Sequence, residues 1–156
     1  MDWFLVLLIV TTIIRGMGAG MIYDAALVSL PVRHQIGVIP YANFARANFM
    51  GNGVRTYAPV SIIGALLTIV ATVFTFILQK PVIVNWSITI SMIATVLAFL
   101  GTSQALPAVM SLRDSPNDES LVSQILDRFA RWHTFSTLWQ VVSFLALVVA
   151  LATNHL

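Results

Sequence analysis

The chain has 156 residues, of which 58% are hydrophobic and only 9% are Asp, Glu, Lys or Arg. A soluble domain carries about 25% charged residues, so this inventory cannot cover a water-facing surface, and soluble enzymes, nucleic-acid binders and disordered tails are excluded. The mean hydropathy of +0.90 makes lipid the solvent for most of the protein, and the absence of cysteine removes disulfides, thiolate nucleophiles, cysteine-ligated zinc and iron–sulfur clusters.

A bilayer core of about 30 Å needs roughly 20 apolar residues as helix. Four segments supply that length: Trp3 to Val32, interrupted by Arg15 and Asp24; Thr56 to Gln79; Pro81 to Leu112; and Trp132 to Leu156, which holds His133 and His155 but no Asp, Glu, Lys or Arg. They predict spans over approximately 3–30, 56–79, 82–106 and 132–153 in one integral-membrane domain, residues 1–156. The fold class is all-α, a four-helix transmembrane bundle. A long fourth helix extends into the cytoplasm, and a short amphipathic helix lies between spans one and two. The first segment does not read as a cleaved signal peptide, because a basic leader is missing and Asp2 is acidic.

In span one, Arg15 and Asp24 are nine residues apart. Nine steps of about 100° end half a turn away from the start, so the two charges point to opposite faces. With Asp24 assigned to the bundle interior, Arg15 is expected to face lipid or a neighbouring chain, or to mark a local break at Gly16-Met17-Gly18. Gly16 and Gly20 form a small-xxx-small pair. Beyond the span, Pro31 and Pro40 bracket a passage, Arg33-His34-Gln35-Ile36-Gly37, expected to be non-helical. Tyr41 to Met50 is predicted to be a short amphipathic helix stopped by Gly51-Asn52-Gly53, a breaker cluster suited to positive φ.

Span two carries Ser61, Gly64, Thr68, Thr72 and Thr75 along one stripe, and span three carries Asn85, Thr89, Met92 and Thr102. In lipid, where burial does not drive helices together, such stripes read as packing surfaces. Ser115-Pro116-Asn117-Asp118 then offers a capping hydroxyl, a proline at the first helical position and an acid in the first turn. No Gly or Pro interrupts the chain from Asn117 to Thr153, which predicts one helix of roughly 37 residues, about 55 Å long. Leu121, Val122, Ile125, Leu126, Phe129 and Trp132 recur on it at helical spacing. Its first four turns are expected to stand out of the membrane.

The long connections hold Arg33, Arg46, Arg55, Arg113, Arg128 and Arg131, whereas the turn between spans two and three holds only Lys80. The positive-inside rule therefore places both long connections in the cytoplasm and both termini outside, in a multi-pass plasma-membrane topology.

The candidate chemistry gathers at that inner boundary. His133 continues at helical spacing into Thr137, Gln140 and Ser143, so it stands where an apolar stripe becomes a polar intramembrane one. It is either an interfacial residue beside the anchoring Trp132 or an inward-facing functional group. Asp24 is 21 residues beyond Trp3, about 32 Å along a helix, and reaches the same level; His34 follows just past Pro31. His155 is 22 residues beyond His133, about 33 Å away on the other face. His34, His133 and Asp24 are thus a candidate metal set, two imidazoles and a carboxylate as in non-haem iron sites, with copper as the other candidate. Haem is disfavoured, because no histidine lies in mid-span.

Several strings resemble a known family. Arg15-Gly16-Met17-Gly18-Ala19-Gly20, Leu30-Pro31, Ile36-Gly37, Tyr41 to Arg46, Gly51-Asn52-Gly53 and Tyr57 are similar to the first half of the small four-helix membrane proteins grouped with anthrone oxygenases. Phe129-Ala130-Arg131-Trp132-His133 resembles the last helix of that family, although here Trp132 stands where many relatives have Asn. The resemblance implies a membrane-bound oxygenase acting with O₂ on a lipophilic phenolic or enolic, anthrone-like substrate. Carried over by position, His133 is its best functional match, followed by Arg46, Asn52 and Tyr57, with His34 added from the inner-boundary reading above. A histidine suits the base in such a reaction because its ordinary pKa of about 6.5 is near ambient pH. A bound copper or iron, or none, is compatible with the implied chemistry.

The partners expected are the lipid bilayer, O₂ and the lipophilic substrate, with no nucleic acid. From a different class comes a non-catalytic subunit of a larger membrane complex, or a homo-oligomer, joined through the Arg15 face. A transporter is third, because one interior carboxylate without an evident inverted repeat is a thin basis for ion coupling.

Overall fold

The computed structural model describes residues 2–115 and 118–154. Every regular element among them is helical: α1 (Trp3–Asp24), α2 (Arg33–Ile36), α3 (Val38–Ala47), α4 (Val54–Ile77), α5 (Val82–Ser111) and α6 (Glu119–Thr153). Four of the helical runs are long and apolar enough to cross a membrane. Large apolar side chains stand exposed along all four, among them Ile13, Leu66, Val73, Phe76, Ile93, Leu138 and Leu145. A surface of this kind is tolerated in lipid and not in water, so the chain is a multi-pass membrane protein built as a four-helix bundle.

The helices run up and down in sequence, each packed on its chain neighbours, with α6 closing back onto α1. At the end that carries the termini and the α4–α5 turn, Asp2 caps α1 by accepting from the Phe4 N–H at 3.0 Å. The same carboxylate pairs with Lys80 at 3.3 Å, and the Lys80 ammonium lies over the Phe4 ring. Phe4, Leu8, Ala71, Val84, Ile88, Leu147 and Ala150 form the core at this end. A second core at the opposite end joins Leu30, Tyr41, Ala45, Leu112, Val122, Leu126 and Phe129. The first turns of α6 are therefore covered by α3 and the end of α5.

Most hydroxyls of the polar stripes are satisfied within their own helix. Thr12, Thr68, Thr72, Thr89, Thr95 and Thr137 each donate to the carbonyl four residues earlier. With no water in a bilayer core this is the cheapest partner available. The seam between α5 and α6 adds bonds across helices: Ser91 to Ser143 at 2.8 Å, Thr102 to Ser136 at 2.9 Å, and Ser136 donating to the Ala98 carbonyl at 2.9 Å. Gly101 lets α6 come this close, because a Cβ there would stand 3.0 Å from the Ser136 backbone nitrogen.

Several details differ from the sequence expectations. The passage from Arg33 to Ile36 is a helical turn, so α1 continues through a π-helical segment (Ala25–Ser29), a 3₁₀ turn (Leu30–Val32) and α2 as one run. Pro31 explains the change of register: it has no N–H to donate, and in an α-helix its ring would meet the carbonyl of residue 27. The chain widens instead, with the Leu30 N–H reaching back five residues to the Ala25 carbonyl. The chain turns at Gly37, where φ is 91° and ψ 162°, a conformation suited to glycine. The Gly51-Asn52-Gly53 cluster does not stop a helix. It forms part of a second π-helical segment (Asn48–Gly53), kinked at Gly51, that carries α3 directly into α4. The cap of α6 is Asp118, which accepts from the Ser120 and Leu121 N–H groups at 2.9 and 3.2 Å. Ser115 bonds instead to the Ser111 carbonyl, and Pro116 and Asn117 lie outside the described residues, as does His155.

Candidate functional site

Between the four spans lies a cavity of about 260 Å³. The Thr75 hydroxyl donates to Asn85 at 2.7 Å and holds α4 to α5 at the turn. The cavity lies toward the other end of this pair, with Val54, Tyr57, Ser61 and Ile62 of α4 facing Ala98, Phe99, Thr102, Leu106 and Met110 of α5 across it. Val54, Ile62, Phe99, Leu106 and Met110 are exposed, so the mouth opens sideways between two membrane helices. Ile22 and Ala25 at the α1 junction, Phe49 and Gly53 of the second π segment, and Phe129 of α6 complete an almost wholly apolar wall.

Beside the hydroxyls of Tyr57, Ser61 and Thr102, that wall carries an arginine, a histidine and an amide: Arg15, His133 and Gln140. The His133 ring stacks on Phe129, with centroids 5.0 Å apart, and lies beside the Ile22 backbone as its hydrogen-bonding neighbour. Its Nε2 is buried and has no partner. Arg15 is 3% exposed. Its Nη2 donates to the Thr95 hydroxyl at 3.0 Å, its Nε has no partner, and Gly64 of α4 makes room for its stem. Gln140 reaches α1 beside Gly18. Arg15 precedes Ile22 by seven residues and Gln140 follows His133 by seven, each step about 10 Å along its helix. The cavity therefore holds an imidazole near the end with the long connections and a guanidinium with an amide about 10 Å deeper.

This arrangement corrects the reading of span one. Arg15 and Asp24 do lie on opposite faces, but Arg15 points inward and Asp24 is exposed. The segment Gly16-Met17-Gly18 is unbroken α-helix. Arg15 accordingly offers no outward face for a second chain, and the observation that favoured a subunit role is gone. Arg15 is the charged wall residue that sequence reasoning left out of the site, whereas Gln140 was read as part of the polar stripe continuing from His133. The signal for Gln140 was present in its spacing from His133. The signal for Arg15 lay in Gly64, on another helix, and could not be paired with it from sequence.

Of the remaining candidates, Tyr57 is half-buried and lines the cavity. Arg46 is a clamp at the end of α5: its guanidinium donates to the carbonyls of Leu112 at 2.8 Å and Ser115 at 3.3 Å, and to Asn43 at 2.8 Å. Asn52 is exposed and outside the cavity wall. His34 is exposed, accepting from Arg33 at 3.4 Å. A copper or iron ion needs donors converging on one point, and among the described residues no three of His, Asp and Glu gather closely enough to hold a metal. The set His34, His133 and Asp24 does not fit that requirement, and only His133 faces the cavity. Comparison of the chain with protein-family models, with curated proteins and with solved structures gives no match.

Proposed function

We propose that the protein is a membrane-embedded oxygenase that takes a lipophilic phenolic or enolic substrate from the bilayer through the gap between α4 and α5. The observation that carries this reading is the unpartnered His133 Nε2 on the wall of an apolar cavity with a lateral mouth. An imidazole nitrogen without a partner in such a place is available as a base, suited to removing an acidic C–H or O–H from a bound ring system. The resulting anion is electron-rich and reacts with O₂. For a methylene between two rings the balance closes without any further reductant: R₂CH₂ + O₂ gives R₂C=O + H₂O, the carbon losing two hydrogens and gaining one oxygen atom. The protein's part is to bind the substrate, hold it against His133 and exclude bulk water.

The orientation proposed places both termini outside and both long connections in the cytoplasm. It is supported by the six arginines at one end of the bundle against Lys80 at the other. The test of the activity is oxygen uptake by the purified protein in a non-ionic detergent with an anthrone as substrate. His133→Ala is expected to lower turnover by about 10²–10⁴-fold, the usual contribution of a positioned base. Undiminished turnover in that variant would end the proposal.

A further inference from the structure

Among the described residues Arg15 is the one buried cation, and none of their carboxylates pairs with it. Arg15 is 3% exposed, its charge meets only the neutral Thr95 hydroxyl, and its Nε is unsatisfied. The two ion pairs among the described residues, Arg33–Asp127 and Lys80–Asp2, lie elsewhere, and no Asp or Glu contributes to the cavity wall. The Thr95 hydroxyl itself donates to the Ser91 carbonyl, so it can satisfy one guanidinium N–H and no more of the charge. A buried charge is costly unless it is paired and hydrogen-bonded, and intramembrane ionisable residues mark the groups they are built to meet. The Arg15 side chain reaches the cavity directly.

We infer that the cavity is a binding site for a lipophilic monoanion, with a carboxylate, phenolate or enolate oxygen docked on Arg15 and its apolar body along the wall toward His133. The guanidinium presents several donors in a fixed fork that matches such an oxygen. Gln140 adds an amide donor at the same depth. The inference shares the cavity with the oxygenase reading but needs none of its oxygen chemistry, and it makes Arg15 the residue that selects for charge.

The probes are 2-naphthoate, which is ionised at neutral pH, and methyl 2-naphthoate, its uncharged counterpart. Binding of each to the purified full chain is measured by titration calorimetry in a non-ionic detergent, with partition into micelles subtracted. The intact protein is expected to bind the carboxylate at one site at least about tenfold more tightly than the ester, the low end for a hydrogen bond to a charged group. Arg15→Gln, which keeps a neutral donor at the level of the Arg15 Nε, is expected to make the two affinities equal, and Arg15→Lys, which reaches further and keeps the charge, to restore part of the preference. Equal binding of the two probes by the intact protein, binding of neither, or a preference that survives in Arg15→Gln would overturn the inference. The comparison within the intact protein decides the matter even if Arg15→Gln does not fold. Absence of oxygen uptake alongside an intact preference for naphthoate would remove the oxygenase reading alone. Oxygen uptake without that preference would remove this one alone.

Discussion

Gly101→Ala tests how the seam between α5 and α6 is held. The added Cβ would stand 2.9 Å from Phe135 Cδ1, 3.0 Å from Ser136 Cβ and 3.0 Å from the Ser136 backbone nitrogen. Carbon contacts are comfortable at about 3.5–4.0 Å. The Phe135 ring can turn aside, but the backbone nitrogen cannot, so α5 and α6 must separate by roughly 0.5–1 Å. Overpacking of this kind costs about 1–3 kcal/mol. The bonds of Ser136 to Thr102 and to the Ala98 carbonyl, both 2.9 Å, stretch as well and forfeit about 0.6 kcal/mol each. Against this stands the better helix propensity of alanine, about 1 kcal/mol, which leaves a net loss of about 1–3 kcal/mol. Gly20→Ala is the matched control, because nothing lies within 4 Å of a Cβ there and only the propensity gain applies. Unfolding of both variants is followed by circular dichroism as sodium dodecyl sulfate is titrated into non-ionic micelles. Midpoints that coincide for the two variants would refute the claim that close approach at Gly101 holds the α5–α6 seam.

Two further outcomes follow from the same geometry. Ser61→Phe places a ring into the cavity from α4, where Ser61 is half-buried; oxygen uptake and naphthoate binding should both fall by about tenfold or more, with the unfolding midpoint unchanged. Tyr41 is fully buried, with its hydroxyl unpartnered, and burial pushes its phenol above the usual value of 10.0 against an opposing pull from Arg33. Because the unfolded phenol ionises first, the protein should lose stability as pH rises through about 10. Tyr41→Phe should remove that loss and gain about 1 kcal/mol at neutral pH, measured by unfolding at pH 8 and pH 11.

The span pattern was legible because lipid imposes it. A helix of apolar residues long enough to cross a bilayer has few alternatives, and α4, α5 and α6 follow it. What escaped was whatever depended on a partner helix. The half-turn between Arg15 and Asp24 followed from arithmetic, but which of them faced inward did not. Asp24 is the last residue of α1 and stays exposed, whereas Arg15 lies about 18 Å along it, beyond reach of water, and so has only the interior. The positions of Pro31 and Gly37 were visible, but the break was placed between the two prolines: Pro31 is absorbed by widening the helix, and Gly37 alone makes the turn. The metal set failed because matching depth along the membrane normal does not make three side chains converge. His34 and Asp24 stand outside the wall on which His133 lies.

Arg15 also bears on how the protein is made. A segment with arginine near its centre pays about 2.5–3.5 kcal/mol on entering the bilayer from the translocon, and α1 emerges before α4, α5 and α6. Gly64, which makes room for the Arg15 stem, and Thr95, which accepts from its guanidinium, are synthesised 49 and 80 residues later. Stable seating of the first helix therefore waits on the third, and the residue that charges the cavity also links the insertion of α1 to the completion of the bundle.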